Sequence, residues 1–406
     1  VRQVARILWV DAALDGSTML DGRERDGVFE QRDTVHVVEA TVSRKREKVS
    51  EDAAKTASLC SNLRKQKNKL SQGWIVTREE PTVDQKAAVE RYSPTLKIVS
   101  FDQFRSMLFN GSEYIRCRKM KSFGSITNPY TKTPHVDRGA YIPLDLLSLS
   151  GGQASSAQSI AESTLSNSVR ISLIGDYGAG KSMTFREIFF WLSDQYTKGR
   201  TSSTPIYLNL RDHRGQVNPV EALERHAREI GYSGGASDLV RAWRAGHITL
   251  ILDGFDEIAT AGWGQSLRRV REHRFAAMAL VRRFVKDTPA RSSLLIAGRS
   301  NYFDSNKELE SALGISGSWS RYSLNDFTFE QTARFLSKIG YKEHIPEWLP
   351  SRPLLVAYFA FLGKGENLYS ELSGLTAGAG WDKFLGMISQ REAAQVAERQ
   401  DPVTGR

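Results

Sequence analysis

Three sets of residues in this chain have types and spacings that could do chemistry on phosphate. In "LIGDYGAGKS", Leu173–Ser182, the pattern G-x-x-x-x-G-K-S runs from Gly175 to Ser182. Glycines at 178 and 180 let a backbone curl until consecutive N–H groups point at phosphate oxygens, and a helix starting there adds its positive end. Lys181 would neutralise β- and γ-phosphates, and the Ser182 hydroxyl would hold Mg²⁺. Gly175, Gly178, Ala179, Gly180, Lys181, Ser182 and Met183 are therefore the expected nucleotide-binding residues, with ATP or ADP as ligand. The second set lies in "ITLILDGFDEI", where Asp253 would reach Mg²⁺ through water. Asp256 and Glu257 follow it, and either could orient or deprotonate an attacking water. The third is a carboxylate pair, Asp26 and Glu39, in the hairpin "RDGVFEQRDTVHVVEATVSRKREK". Such a pair converging on Mg²⁺ is what a metal-dependent phosphodiesterase needs.

These residues are useful only if the backbone brings them to one edge. From Val169 onward, the short apolar runs "VRISLI", "PIYLNL", "ITLILD" and "SSLLIA" alternate with helical segments. That alternation predicts a parallel sheet covered by helices on both faces. A buried strand ending at Asp253 would deliver its carboxylate to the C-terminal edge, where such sheets bind ligands. In the hairpin, "VHVVEATV" read as a strand puts Val35, Val37, Glu39 and Thr41 on one face and His36, Val38, Ala40 and Val42 on the other. Glu39 then sits among core residues, which calls for a partner or a metal, since an unpaired buried carboxylate is costly. His36, on the opposite face, reads as structural, and Glu24 as exposed.

A nuclease of this type usually carries a lysine two residues after the glutamate, and here that residue is Thr41. The helix that follows offers a substitute. Lys45, Val49, Ala53, Thr56, Cys60 and Leu63 form one stripe, so Lys45 is the expected cation, with Lys48 next.

The chain has 406 residues, 40% hydrophobic and 25% charged, with a net charge of +10. This is a folded chain with room for two or three cores. Its longest apolar run is far short of the roughly 20 residues that span a bilayer, so no membrane role is expected. Cys60 and Cys117 are the only cysteines, which fits reduced thiols in a cytoplasm. The basic runs "RKREK", "RKQKNK" and "RCRKMK" favour a polyanionic partner such as DNA. Residues 1–118 are expected to form one α/β domain, 119–165 a Ser/Gly/Pro-rich linker and lead-in, 166–340 the nucleotide-binding domain, and 341–406 a helical extension that reads as truncated.

The segment "LILDGFDE" resembles the second motif of NACHT-type NTPases of the signal-transduction group, and the likeness runs over about Tyr141–Leu362. The resemblance implies that Arg299, in "LLIAGRSNYF", reads the γ-phosphate and that Pro353, in "RPLLVAYF", packs near the adenine. It also implies an ATP/ADP switch that self-assembles into a homo-oligomer on a phage-derived or cellular trigger and activates an attached effector. The N-terminal segment resembles restriction-endonuclease-like domains of the PD-(D/E)XK superfamily, as fused to NACHT ATPases in bacterial antiviral proteins. The expected function is thus an ATP-switched, Mg²⁺-dependent DNA endonuclease. The alternative is a regulatory ATP-binding scaffold whose N-terminal domain binds nucleic acid or a partner without cutting. A DNA-stimulated motor is a third option.

Overall fold

The computed structural model describes residues 1–9, 15–20, 23–124, 126, 138–151, 154–258, 267–363 and 368–400. The side chain of Glu24 lies outside that description. The chain forms two compact units. One comprises Val1–Cys117, Gln195–Thr204 and Leu223–Ile248; the other comprises Arg118–Asp194, Pro205–Ala222 and Thr249–Arg406.

The first unit begins with α1 (Arg2–Leu8), β1 (Asp15–Leu20), β2 (Arg23–Glu30), β3 (Thr34–Thr41), α2 (Arg46–Lys67) and β4 (Leu70–Thr77). It continues through α3 (Val83–Glu90), β5 (Leu96–Ser100), α4 (Phe101–Ser106) and most of α5 (Gly111–Lys119). Its five strands lie in the order β1-β2-β3-β4-β5, the first three as an antiparallel meander and the last three parallel. A parallel β3–β4 pair requires a crossover, and α2 supplies it. Val49, Ala53, Thr56, Cys60 and Leu63 of α2 are all buried, as the stripe predicts. Asp52 is buried in the same stripe and was not expected there.

The opposite face of this sheet is aromatic. His36 stacks on Trp9 at 4.1 Å with 4° between the ring planes, and Trp74 packs edge-on to Phe104 at 5.9 Å. Because both faces are covered, Val35–Val38 of β3 are buried on both sides rather than alternating, while Glu39 is half-buried and Ala40 exposed.

The remaining elements are β6 (Leu146–Ser148), α6 (Ala157–Ser166), β7 (Arg170–Ile174), α7 (Lys181–Thr197), β8 (Thr204–Asn209), α8 (Pro219–Ile230), α9 (Ala236–Arg244) and β9 (Ile248–Asp253). After these come α10 (Leu267–Ala277), α11 (Ala279–Asp287), β10 (Leu294–Gly298), α12 (Asn306–Leu313) and β11 (Ser320–Leu324). The chain closes with α13 (Phe329–Lys338), α14 (Pro353–Leu362), α15 (Leu368–Ser373) and α16 (Ala377–Gln400). The six-stranded sheet has the order β6-β11-β7-β10-β9-β8. Strands β11, β7, β10 and β9 run parallel, and β6 is an antiparallel edge.

The stretch 119–165, read from composition as linker, holds an edge strand and a helix among its described residues. Three residues of β6 carry too little apolar signal to stand out from serine and glycine, yet Leu146 is fully buried. No helix among the described residues is long and apolar enough to cross a membrane.

The basic runs are partly committed within the protein. Lys67 and Lys69 both pair with Glu30, Arg44 pairs with Glu79, and Arg118 is only 1% exposed.

Burial pushes the pKa of His36 down to about 4. An unfolded histidine titrates near about 6.5, so between those values the unfolded chain binds the extra proton. Stability should therefore be lost as pH falls from about 6.5 towards about 4. Urea midpoints at pH 7 and pH 5 should drop more for the parent than for His36→Gln. Equal drops would rule out His36 as the source.

Candidate functional site

The register of the six-stranded sheet assembles the phosphate chemistry. Ala297 of β10 lies level with Leu173 of β7 on one side and with Asp253 of β9 on the other. The loop after β7, the carboxylate ending β9 and Arg299 just past β10 therefore emerge at one edge. Gly178 and Gly180 have φ of +76° and +98°, values open to glycine but strained for other residues. Gly178 is needed a second time, because a Cβ there would lie 2.7 Å from Cβ of Leu354. α7 starts at Lys181 itself, so its free N–H groups face the loop.

Lys181 folds back over this loop and donates to the carbonyls of Gly175 at 2.7 Å and Asp176 at 2.9 Å. Burial lowers its pKa, opposed by the charges of Asp256 and Asp253. Asp253 is 3% exposed, and burial raises its pKa; hydrogen bonds from Ser182 and Tyr207 and the charge of Lys181 pull the other way. The Tyr207 hydroxyl donates to Asp253 Oδ2 at 2.7 Å. Ser182 and Asp253 fit a divalent cation: a hydroxyl and a dry carboxylate touch, in a corner that a Cβ on Gly124 would fill. Mg²⁺ held there would neutralise phosphate charge and fix the phosphate's orientation.

The two acids that the sequence left equivalent are separated. Asp256 accepts from Arg299 twice, from Nε at 2.8 Å and from the backbone N–H at 3.0 Å. Glu257 has its pKa raised by burial and then by the charges of Asp253 and Asp256.

A cavity of about 440 Å³ runs from these groups to an apolar end. Met183 lines it, as do Ile142, Phe327, Pro353 and Tyr358. That volume and that mixture of a charged and an apolar end suit a nucleotide.

Residues 170–343 match the NACHT domain. With the glycine loop and the sheet order, that match makes this part of the chain a P-loop NTPase domain that binds nucleotide. No curated protein matches the chain. Among solved structures it is similar to the Aeropyrum pernix ORC1 protein in complex with DNA, at 14% identity and a TM-score of 0.35, covering 52% of this chain and 59% of that one. The Aeropyrum pernix ORC2 protein in ADPNP–ADP complexes is similar at 16% identity and a TM-score of 0.31, covering 66% and 68%. Drosophila ORC bound to DNA is similar at 11% identity and a TM-score of 0.35, covering 61% and 66%. The chain thus spans less than two thirds of the ORC1 chain.

Several residues around this site escaped the sequence reading. Tyr177 lies under the Arg299 guanidinium, 4.9 Å from its centre. Arg352 bonds Asp176 at 3.3 Å and Asp326 at 3.4 Å, and Leu354 N–H donates to Gly178 O at 3.2 Å. The proline motif was legible, but the arginine before it carried no signal of its own.

In the first unit, Gly27 of β2 pairs with Val38 of β3, so Asp26 and Glu39 flank that pair on neighbouring strands. By strand alternation both lie on the face of Val28, Val35 and Val37, which packs against α2. Asp26 Oδ2 accepts the N–H of Ala40 at 2.9 Å, and its Oδ1 is 3.8 Å from Arg2. Lys45 is an exposed N-cap of α2. Lys48, one turn on, donates to Asp52 at 2.7 Å; its pKa is raised first by that bond and, in smaller part, by the charge of Glu39. Thr41 Oγ1 accepts the N–H of Ser43, closing the turn into α2. Among the described residues, no three His, Cys, Asp or Glu are grouped as a metal cage.

Lys181→Ala should remove ATP binding in calorimetry, because among the described residues no other lysine folds onto the loop carbonyls; full-affinity binding would contradict the assignment. Asp253→Ala should lose Mg²⁺-dependent turnover while its circular dichroism spectrum stays that of the parent.

Proposed function

We propose that this protein is an ATP-regulated switch whose NACHT domain controls a metal-dependent DNA endonuclease in the first unit. In the NACHT domain, Lys181 and the glycine loop hold the phosphates, Ser182 and Asp253 hold Mg²⁺, and Glu257 orients the attacking water. Arg299 is kept on Asp256 until the γ-phosphate competes for it. ATP binding would favour self-assembly and ADP the closed monomer. The resemblance to endonuclease-type NACHT proteins of bacteria makes antiviral defence the proposed role, with a phage-derived or cellular trigger.

The observation that carries the nuclease reading is the pairing of Asp26 and Glu39 on adjacent strands under α2. The order helix, three-strand meander, crossover helix, parallel strand also suits a restriction-endonuclease-like core. Asp26 and Glu39 would hold the metal, which supplies charge stabilisation at the scissile phosphate. Lys48, rather than Lys45, would steady the same charge.

One observation favours the second reading, a scaffold that binds without cutting. Both Asp26 oxygens already have protein partners in Ala40 and Arg2, and Thr41 serves a turn.

The test is plasmid nicking by the full chain with Mg²⁺ or Mn²⁺, with ATP or ADP. Asp26→Ala and Glu39→Ala should abolish nicking, and Lys48→Ala should slow it by about a hundredfold, as for loss of one group that stabilises developing charge. Nicking that survives both carboxylate changes would exclude this site. Salt-sensitive DNA binding with no nicking would establish the scaffold reading.

A further inference from the structure

The corner where Ser182 meets Asp253 has a third side that no phosphate-binding motif supplies. It is the turn Lys121–Gly124, which follows α5. Gly124 has φ +55°, and a Cβ built on it would fall 2.5 Å from Asp253 Oδ2 and 2.6 Å from Ser182 Oγ. Contacts that close are not tolerated, so a side chain at this position must displace one of the two oxygens or be displaced by it.

The turn is held there by a buried clamp. Gly124 N–H donates to Asn209 Oδ1 at 2.7 Å, and Asn209 Nδ2 donates to Ser122 O at 3.3 Å and Asp212 Oδ2 at 3.0 Å. Arg118, 1% exposed, donates from Nε to Tyr207 O at 2.9 Å, from Nη1 to Ser122 O at 2.9 Å, and from Nη2 to Asn209 Oδ1 at 3.3 Å. Its guanidinium also lies 4.0 Å from the ring centre of Phe123, which packs on Tyr207 at 4.9 Å. Tyr207 in turn holds Asp253. A buried arginine that joins the turn at Ser122 to Tyr207 and Asn209 of β8 ties the position of the turn to the strand that holds Asp253.

We propose that the Lys121–Gly124 turn is the third wall of the metal seat in the nucleotide site, with Arg118 and Asn209 as positioning residues and Gly124 as the residue that must lack a side chain. This rests on reading Ser182 and Asp253 as the metal pair. The wall keeps water off the Asp253 carboxylate, so its attraction for a divalent cation acts in a low-dielectric corner. A methyl group at position 124 fills the corner. Loss of the clamp lets the turn drift and water enter.

The full chain is tested with Mn²⁺ as the probe, counted by electron paramagnetic resonance in the presence of ADP, beside ADP affinity measured in EDTA. Gly124→Ala should weaken Mn²⁺ binding at least about tenfold, and Asn209→Ala by several-fold, in the range expected when groups behind a metal ligand are lost. ADP affinity in EDTA should stay within about twofold for both, which a general loss of folding would not allow. Gly151→Ala is the control for backbone strain: φ there is +82° and nothing lies within 4 Å, so both affinities should match the parent. If Ser182→Ala also keeps parental Mn²⁺ binding, the metal-pair reading itself fails. If Ser182→Ala loses Mn²⁺ while Gly124→Ala and Asn209→Ala keep it, the metal pair stands and the turn is not its wall. Should Gly124→Ala not fold, Asn209→Ala alone decides between these outcomes.

Discussion

Burying the carboxylate of Asp253 is the constraint on which the second unit depends. A carboxylate at 3% exposure is costly without partners, and the fold supplies three. β9 delivers it, Ser182 at the head of α7 and Tyr207 on β8 bond it, and Lys181 supplies opposite charge. The sheet order places β10 between β7 and β9, so the loop and the carboxylate share one edge with Arg299 between them. A site built this way is pre-organised for a cation, since the desolvation has already been met during folding.

The same edge is tied to the chain that follows the sheet. Arg352 reaches Asp176, and Leu354 bonds the carbonyl of Gly178, so the phosphate loop is gripped from the start of α14. α14 belongs to an apolar cluster that includes Val356, Phe359, Leu368 and Phe384. A displacement of the loop by phosphate would therefore be felt in a packed core, which is how a local charge change acquires a larger readout. The Arg299–Asp256 pair adds an element with two possible partners, one acidic side chain and one phosphate.

In the first unit the corresponding constraint is steric and apolar. Gly73 lets β4 pass under α2, where a Cβ would meet Leu96 Cδ2 at 2.3 Å and Thr56 Cγ2 at 2.7 Å. That close approach draws α2 onto the hairpin carrying Asp26 and Glu39. It also buries Asp52, which accepts a hydrogen bond from the exposed Lys48 at 2.7 Å.

The glycine loop, the strand ending at Asp253 and the α2 stripe were legible in the sequence because each is a local pattern: a motif of fixed spacing, an apolar run, a helical repeat. The match of residues 170–343 to the NACHT domain agrees with the part of that reading that rested on motif and context. Tertiary structure alone decided which acid pairs with Arg299, since Asp256 and Glu257 are neighbours in sequence and differ only in what the end of β10 presents to them. It alone decided that Lys48, at the i−4 position to a buried Asp52, is paired with that carboxylate. The turn at Gly124 was hidden for the same reason. Arg118 reads as one cation in a basic run, and only packing against Tyr207 and Asn209, some ninety residues on, turns it into an interior clamp. Local spacing encodes what one element can do; which charges are left without water depends on the elements that come to lie over them.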